Sequence, residues 1–350
     1  MMSMAPEIAS RSRSGLWGLF VPLILVAVLA AGWSGFWFYA AGRADAAIDD
    51  WLAKEAARGR AYACEKRALG GFPFRAELTC DGVSAVIATT GGEVRASAPR
   101  FKAVAQVYDP NRMIAELDGP VSLTTADGRT LALSYQLAQA SLGIADRRFD
   151  RGSLVVDAPR LREGPDEVGA AKAFEAHVRR VPGGEAGAYD VALTLDEADA
   201  PLLGMLPIGQ GPVSLQLQAE ARGVDDSTTL KSPADRLRAF AEAAGTVHVS
   251  LAKLVRGDVA AEARGDLALD KQGRIEGSGD FVARGADDLV RALLPDDGKK
   301  GLAALLGVGV QMLGSPAKLD GADAMSYRIR IEKGRVAVGP IKVYKLPPVF

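Results

Sequence analysis

Apolar residues are concentrated at the start of the chain, in a pattern that differs from the rest of the sequence. No charged residue occurs between Ser14 and Gly42, and residues 19–29 are continuously apolar. About twenty such residues are enough for a helix to cross a bilayer. The pattern predicts a transmembrane anchor over residues 16–42, between a short tail of residues 1–15 and a main domain of residues 43–350.

Tryptophans lie at both ends of this predicted anchor. Trp17 is at its start, and Trp33 and Trp37 are near its end. A helix over residues 17–37 rises roughly 30 Å, about the thickness of the hydrocarbon layer. Because Trp is enriched where a membrane meets water, we expect these three residues at the membrane interfaces. A cleaved signal peptide is the alternative, but the apolar run continues through residues 36–39, beyond a normal signal core.

The charges that flank the anchor do not decide its orientation. Arg11 and Arg13 before it are balanced by Arg43, Lys54 and Arg58 after it. A simple count of positive charges is therefore uninformative. Since a short cytoplasmic tail is the usual arrangement for an N-terminal anchor, we expect the tail in the cytoplasm and the main domain exported.

From about Ala61 onward the apolar positions recur with a period of two. Clear alternation occurs in residues 131–137, 189–195, 213–221 and 327–331. Such alternation is typical of strands with one face towards water. Short connections with Asp or Gly, typical of hairpins, occur at residues 126–129, 270–274 and 332–335. The sequence predicts an α+β, mainly β, fold in which a large, curved antiparallel sheet carries a few covering helices.

Three regions depart from the period of two and predict helices. Residues 43–58 carry an amphipathic stripe that includes Trp51. Ser232 and Pro233 are typical of an N-cap and a first helical position. Residues 286–294 and 302–313 predict a helical hairpin over one face or end of the sheet.

The short sequence Gly-Pro-Val-Ser-Leu occurs twice, at residues 119–123 and 211–215. Two related β-rich halves, with a boundary near residues 222–231, would explain the repetition. The alternative is that Gly-Pro often begins a strand, and the sequence leaves both interpretations open.

A turn sequence lies between the only two cysteines, Cys64 and Cys80. It consists of Gly70, Gly71, Phe72, Pro73 and Phe74. The glycines allow the chain to reverse, and we expect the two Phe side chains to anchor the turn in the first core layer. If the turn is a hairpin, the cysteines fall on neighbouring strands and could pair in an oxidising compartment, with a gain of roughly 3 kcal/mol in the chain-entropy model. Two buried thiols are the alternative.

Charge and candidate chemistry exclude more functions than they suggest. The chain has 42 Lys and Arg residues against 43 Asp and Glu, a net charge of −1, so no overall positive field exists to hold a nucleic acid. The two histidines, His177 and His248, fall on polar strand faces without the spacing of metal ligands. Ser250 and Lys253 match a Ser-x-x-Lys motif that requires a helix, whereas a strand is predicted there. We expect no catalytic residue, cofactor or metal, and no enzyme.

Several short motifs resemble one known family. They comprise residues 33–37, 51–52, 71–75, 265–270, 339–341 and 346–350. They are similar to the uncharacterised proteobacterial family catalogued as domain of unknown function 2125 (DUF2125), and they span nearly the whole chain. That family offers no established catalytic residues to carry over, and the cysteine pair is not one of its hallmarks. More loosely, an anchor followed by a long amphipathic sheet is similar to AsmA-type envelope proteins, which are thought to handle or conduct lipids.

These observations lead to two expectations about function. The first is a single-pass protein of the bacterial inner membrane, with its main domain in the periplasm, that binds or conducts lipid or acts in envelope maintenance. The alternative is a non-enzymatic scaffold that binds other envelope proteins. The expected partners are the inner membrane and either lipid or envelope proteins, with no nucleic acid.

Overall fold

One long helix and one large sheet dominate the protein, whose computed structural model describes residues 14–89, 91–146, 148–205, 209–225, 232–285 and 313–350. Strands account for 59% of the structure and helices for 18%. The predicted α+β, mainly β, fold is therefore confirmed. The predicted helical hairpin lies almost entirely outside the described residues, and so does most of the predicted boundary near residues 222–231.

The helices are few. Helix α1 spans Ser14–Ala56 without a break, so the predicted anchor and the predicted amphipathic helix form one element. Its part Phe20–Ala56 is long and apolar enough to cross a membrane. A short 3-10 helix, η1, spans Pro201–Met205, and α2 spans Pro233–Glu242. The N-cap of α2 is Ser232, as predicted, and its side chain accepts a hydrogen bond from the Asp235 amide.

In the described residues, twenty strands follow α1. The first ten are β1 Arg60–Gly70, β2 Arg75–Thr89, β3 Gly92–Gln106, β4 Asp109–Leu117, β5 Val121–Thr124, β6 Thr130–Ser134, β7 Leu137–Ala145, β8 Arg148–Asp157, β9 Arg160–Glu163 and β10 Asp166–Ala170. The others are β11 Ala173–Arg180, β12 Tyr189–Ala198, β13 Val213–Arg222, β14 Thr246–Arg256, β15 Val259–Leu269, β16 Ile275–Arg284, β17 Ser315–Leu319, β18 Ala322–Glu332, β19 Arg335–Val338 and β20 Ile341–Lys345.

The chain crosses the sheet back and forth as an antiparallel meander. The main order is β1-β2-β3-β4-β7-β8-β11-β12-β13-β14-β15-β16-β18-β19-β20. Four short strands form a second row, β5-β6-β9-β10, which begins beside β3. The sheet is open rather than closed into a barrel.

Four long strands are each interrupted near the middle, and the interruptions lie side by side. They separate β4 from β5, β6 from β7, β8 from β9 and β10 from β11. Across them, the Gln136 amide donates to the Asp157 carbonyl (2.9 Å) and the Ala158 amide donates to the Lys172 carbonyl (2.8 Å). Ala158 has a positive φ of 48°. Irregular residues of this kind bend strands, so their alignment predicts a bend line across the sheet.

Buried side chains form two clusters at the C-terminal end of the sheet. One cluster contains Ala260, Leu319 and Ala324, and another contains Tyr327 and Val338. Helix α2 packs against β15 at this end, while α1 packs against β1 at the other. The described helices therefore lie at the margins of the sheet rather than over its middle strands.

Candidate functional site

One face of the sheet carries three adjacent rows of apolar residues that run across the strands. The central row, from β1 to β18, is Leu69, Leu78, Ala103, Ala115, Ala140, Leu154, Ala176, Leu193, Leu217, Ala252, Ala263, Phe281 and Tyr327. Each residue lies opposite the next in the hydrogen-bonded register. Because directly opposed residues in a sheet point to the same side, the row is continuous.

Two further rows flank the central one. The first is Ala76, Ala105, Met113, Leu142, Gly152, Val178, Val191, Ala219, Val249, Gly265, Gly279, Ile329 and Val338. The second, over the later strands, is Ala138, Val156, Phe174, Leu195, Leu215, Leu254, Ala261, Ala283 and Met325. None of these residues is Asp, Glu, Lys, Arg or His. We call the three rows together the apolar face.

The middle of the apolar face is open in the described part of the chain. Leu154, Leu193 and Leu215 keep 39%, 37% and 39% of their surface exposed, although they lie on central strands. Farther along, a concave pocket on this face is lined by side chains that include Leu267 and Phe281. Large leucines at the centre of a sheet are usually covered, and a continuous exposed apolar surface marks a binding site.

Over the middle strands the opposite face carries mainly polar, paired side chains, whereas towards its C-terminal end it carries the buried cluster of Ala260, Leu319 and Ala324. Arg179 and Asp190 form an ion pair of 2.9 Å. Both histidines lie on this face, as predicted: His177 is 3.2 Å from Glu175, and His248 is 2.8 Å from Asp266. Among the residues that the structure describes, no three His, Cys, Asp or Glu side chains are grouped as metal ligands would be. The middle strands of the sheet are therefore amphipathic, with the apolar rows on one side and mainly polar side chains on the other.

The described carboxyl groups with shifted pKa values lie in turns or in the helices α1 and α2, away from the apolar face. Thr125 and Arg129 lower the pKa of Asp127 to about 2 through side-chain hydrogen bonds in the turn between β5 and β6. The Arg60 side chain, together with Arg58, lowers the pKa of Glu55 at the end of α1. These shifts stabilise local structure and place no acid or base on the apolar face.

The predicted turn packs against α1. We call residues 70–75 the corner. The Trp33 Nε1–H donates to the Pro73 carbonyl (2.8 Å), and the Trp37 Nε1–H donates to the Arg75 carbonyl (3.1 Å). The Trp37 and Phe72 rings meet edge to face at 5.6 Å. Only 5% of Trp37 is exposed, so the corner covers it.

The expectation that the two corner phenylalanines anchor the first core layer of the sheet is wrong. Phe72 and Phe74 are 48% and 64% exposed. Phe72 stacks on Phe38 at 5.8 Å, and Phe74 lies 6.5 Å from Trp33. These contacts are with α1 because the corner turns towards the helix. Of the two glycines, Gly71 acts as expected: it has a φ of 97°, and a Cβ there would lie 2.6 Å from the Arg75 carbonyl oxygen. Gly70 ends β1 without a positive φ.

Beyond the corner, polar and aromatic contacts hold α1 along β1. Arg67 pairs with Asp45 (3.0 Å) and with Asp49 (2.7 Å). Trp51 stacks on Tyr62 at 5.3 Å. The sequence analysis missed the role of Arg67, since a single Arg in a strand gives no signal of its partner on a distant helix.

The two cysteines form a disulfide between β1 and β2, with Cα atoms 5.6 Å apart. The register pairs Cys64 with Val83 and Cys80 with Arg67. Three residues along a straight strand would separate the positions by about 10 Å, so β2 must bend between them. Gly82, with a φ of 64°, lies within this segment and permits the bend.

The predicted membrane-interface tryptophans have different places in the structure. Trp33 and Trp37 direct their ring N–H groups to the corner. The side chain of Trp17 lies outside the described residues.

Comparison with known proteins identifies one family. Neither the curated proteins nor the solved structures contain a match to this chain. A family model described as "Uncharacterized protein conserved in bacteria (DUF2125)" matches residues 37–347, which include the corner, the cysteines and all twenty strands. The chain therefore belongs to the DUF2125 family.

Proposed function

We propose that the apolar face binds acyl chains of membrane lipids, in a protein that α1 anchors in the bacterial inner membrane with the sheet in the periplasm. The observation that carries this proposal is the three uninterrupted apolar rows, whose central leucines Leu154, Leu193 and Leu215 remain exposed. The polar opposite face gives such a sheet one side for water and one for hydrocarbon.

The dimensions of the face suit extended chains. The central row crosses about twelve inter-strand steps of about 4.8 Å, or roughly 58 Å in total. Exposing a chain of about sixteen carbons to water costs about 13 kcal/mol, at about 0.8 kcal/mol per CH₂. The apolar face would replace the bilayer interior for such a chain, while a head group stays in water at the rim. A long open face favours binding of several chains, or movement along it, over a closed pocket for one ligand.

The periplasmic location has its own support. Helix α1 is long and apolar enough to span a membrane, and the Cys64–Cys80 disulfide fits an oxidising compartment. We propose no catalytic step, because the three rows of the apolar face carry no acid or base apart from the Tyr327 hydroxyl.

Lipid retention by matched variants tests the proposal. Leu193→Asp places a charge on the apolar face, whereas Thr194→Asp places the same charge on the next residue, which points to the polar face. Each full-length protein is purified in mild detergent, and the phospholipid per protein is measured by mass spectrometry. Lipid held around α1 is common to all samples. The difference in phospholipid per protein between samples therefore measures the lipid bound to the sheet.

The proposal expects the wild type and Thr194→Asp to retain the same amount of lipid and Leu193→Asp to lose a large part of it. Equal retention by all three proteins would overturn it. Circular dichroism and thermal unfolding check that both variants fold. Protein partners that co-purify equally with all three variants, in the absence of sheet-bound lipid, would instead favour the scaffold alternative.

A further inference from the structure

We propose that the corner, residues 70–75, is embedded in the surface layer of the membrane that α1 crosses, so that the sheet domain makes a second membrane contact of its own. This inference rests on the proposal that α1 is a membrane anchor. It does not depend on whether the apolar face binds lipid.

The corner meets α1 at the level of its apolar segment. The contacts are with Trp33 and Trp37, and the first charged residue beyond them is Arg43. Arg43 lies six positions beyond Trp37 along the helix, or about 9 Å. Within this interval the exposed side chains of α1 include the aromatic rings of Phe38 and Tyr39. If α1 spans the bilayer, the corner lies at the depth of these rings.

Four backbone carbonyls of the corner have protein partners, as a lipid environment requires. Backbone groups in hydrocarbon must find protein partners, because water is absent. The carbonyls of Pro73 and Arg75 accept hydrogen bonds from the two indoles of α1. The carbonyl of Gly71 accepts from the Arg75 amide (3.1 Å), and the carbonyl of Phe74 accepts from the Val107 amide (3.0 Å). Pro73 has no N–H group to satisfy.

Three aromatic side chains are exposed at this edge. Phe72 and Phe74 project from the corner, and Tyr108 in the neighbouring turn between β3 and β4 is 70% exposed. Arg75, the charged residue of the corner, is paired with Glu77 (3.3 Å), and its long side chain can reach the head groups. Asp109 and Arg112, which follow Tyr108, pair with each other (3.4 Å). Aromatic residues next to a charged side chain that can reach the head groups are typical of the membrane interface. In water these rings would form an exposed apolar patch without a partner.

Depth-dependent fluorescence quenching tests the inference on the full-length chain. Single cysteines are introduced as Phe74→Cys, Tyr108→Cys, Val26→Cys and Leu202→Cys, all at exposed positions, and are labelled with the environment-sensitive dye NBD. Cys64 and Cys80 are protected by their disulfide. Each protein is reconstituted in phosphatidylcholine nanodiscs without quencher, with phosphatidylcholine that carries a doxyl quencher near its head group to report positions 74, 108 and 202, or with one that carries it deep in the acyl chain to report position 26. Position 26 reports the anchor. Position 202 lies in η1, between β12 and β13, and reports the sheet domain away from the corner.

The inference expects several-fold stronger quenching and bluer NBD emission at positions 74 and 108 than at position 202. If position 26 is quenched but positions 74 and 108 are quenched no more strongly than position 202, the membrane contact of the corner is refuted. The anchor would remain supported. Absence of quenching at position 26 would contradict the anchor and the corner together. Lipid binding by the apolar face is tested separately, by the lipid retention of the Leu193 and Thr194 variants. Neither quenching result therefore decides it.

Discussion

Trp37 is the residue whose replacement most directly probes how the sheet is held on α1. Trp37→Phe keeps an aromatic ring but removes the N–H that donates to the Arg75 carbonyl. One hydrogen bond contributes about 1 kcal/mol, which corresponds to an approximately fivefold change in the equilibrium between docked and undocked corner. Trp37→Ala also removes a ring that is 95% buried, at a cost of about 3–5 kcal/mol, or more than about a hundredfold.

Hydrogen exchange followed by mass spectrometry in nanodiscs measures this equilibrium. The reporting amides are those of Arg75, bonded to the Gly71 carbonyl, and Val107, bonded to the Phe74 carbonyl. We expect exchange in peptides that contain them to accelerate about fivefold in Trp37→Phe and to approach the unprotected rate in Trp37→Ala. Peptides from β15 and β16 serve as the control because they lie far from α1.

Two results would refute this reasoning. Unchanged exchange at the corner in Trp37→Ala would mean that the indole contact does not hold the corner. Equal acceleration in the corner and in β15 and β16 would mean that Trp37 supports the whole fold rather than a local docking contact.

Three further predictions concern stability. Replacing Cys64 and Cys80 together by Ser should destabilise the fold by about 3 kcal/mol, seen as a lower thermal midpoint without reductant. Glu55→Gln should lower the midpoint at pH 7, by an amount that shrinks as pH falls below 4.5. Since Arg60 lowers the pKa of Glu55 from its ordinary 4.5, the stabilisation is fully present above the unfolded pKa and is lost as pH falls through the folded one. Ser232→Ala should destabilise α2 by about 1 kcal/mol, seen as faster exchange of its first-turn amides.

Each of these predictions has its own contradiction. For the disulfide, the wild type treated with reductant should match the double variant, and a wild type insensitive to reductant would contradict the prediction. For the carboxylate, a gap in midpoint between wild type and Glu55→Gln that stays constant from pH 7 to pH 3 would remove the ion pair as its cause. For the cap, Ser232→Asp is the matched control and should retain protection.

Much of the amphipathic sheet could be predicted from the sequence because the strand period is local. Leu193 and Thr194 fall on opposite faces in any register, and alternation alone assigns them. The hairpin turns and the N-cap at Ser232 are local in the same sense, so their chemistry is readable over four or five residues.

The continuity of the apolar face could not be predicted, since it depends on register. Leu154 lies opposite Ala140 and Ala176, and a shift of one residue would break the row. The bend line is similarly hidden, because interruptions such as Ala158 align only when the strands pair.

The contacts of Phe72 and Phe74 at the corner could not be predicted, for a related physical reason. Aromatic side chains suit a membrane interface, a hydrophobic core and a helix contact equally well. Composition therefore could not tell that Phe72 and Phe74 meet Trp33, Trp37 and Phe38 rather than the sheet.

Photo-crosslinking in native membranes is the most direct test of lipid binding by the apolar face. A benzophenone amino acid is placed at Leu215 on the apolar face or at the adjacent Gln216 on the polar face, both exposed, and adducts are identified by intact-protein mass spectrometry. We expect phospholipid adducts at position 215 and none, or far fewer, at position 216. Efficient photolysis without lipid adducts at position 215, or equal adducts at both positions, would contradict it.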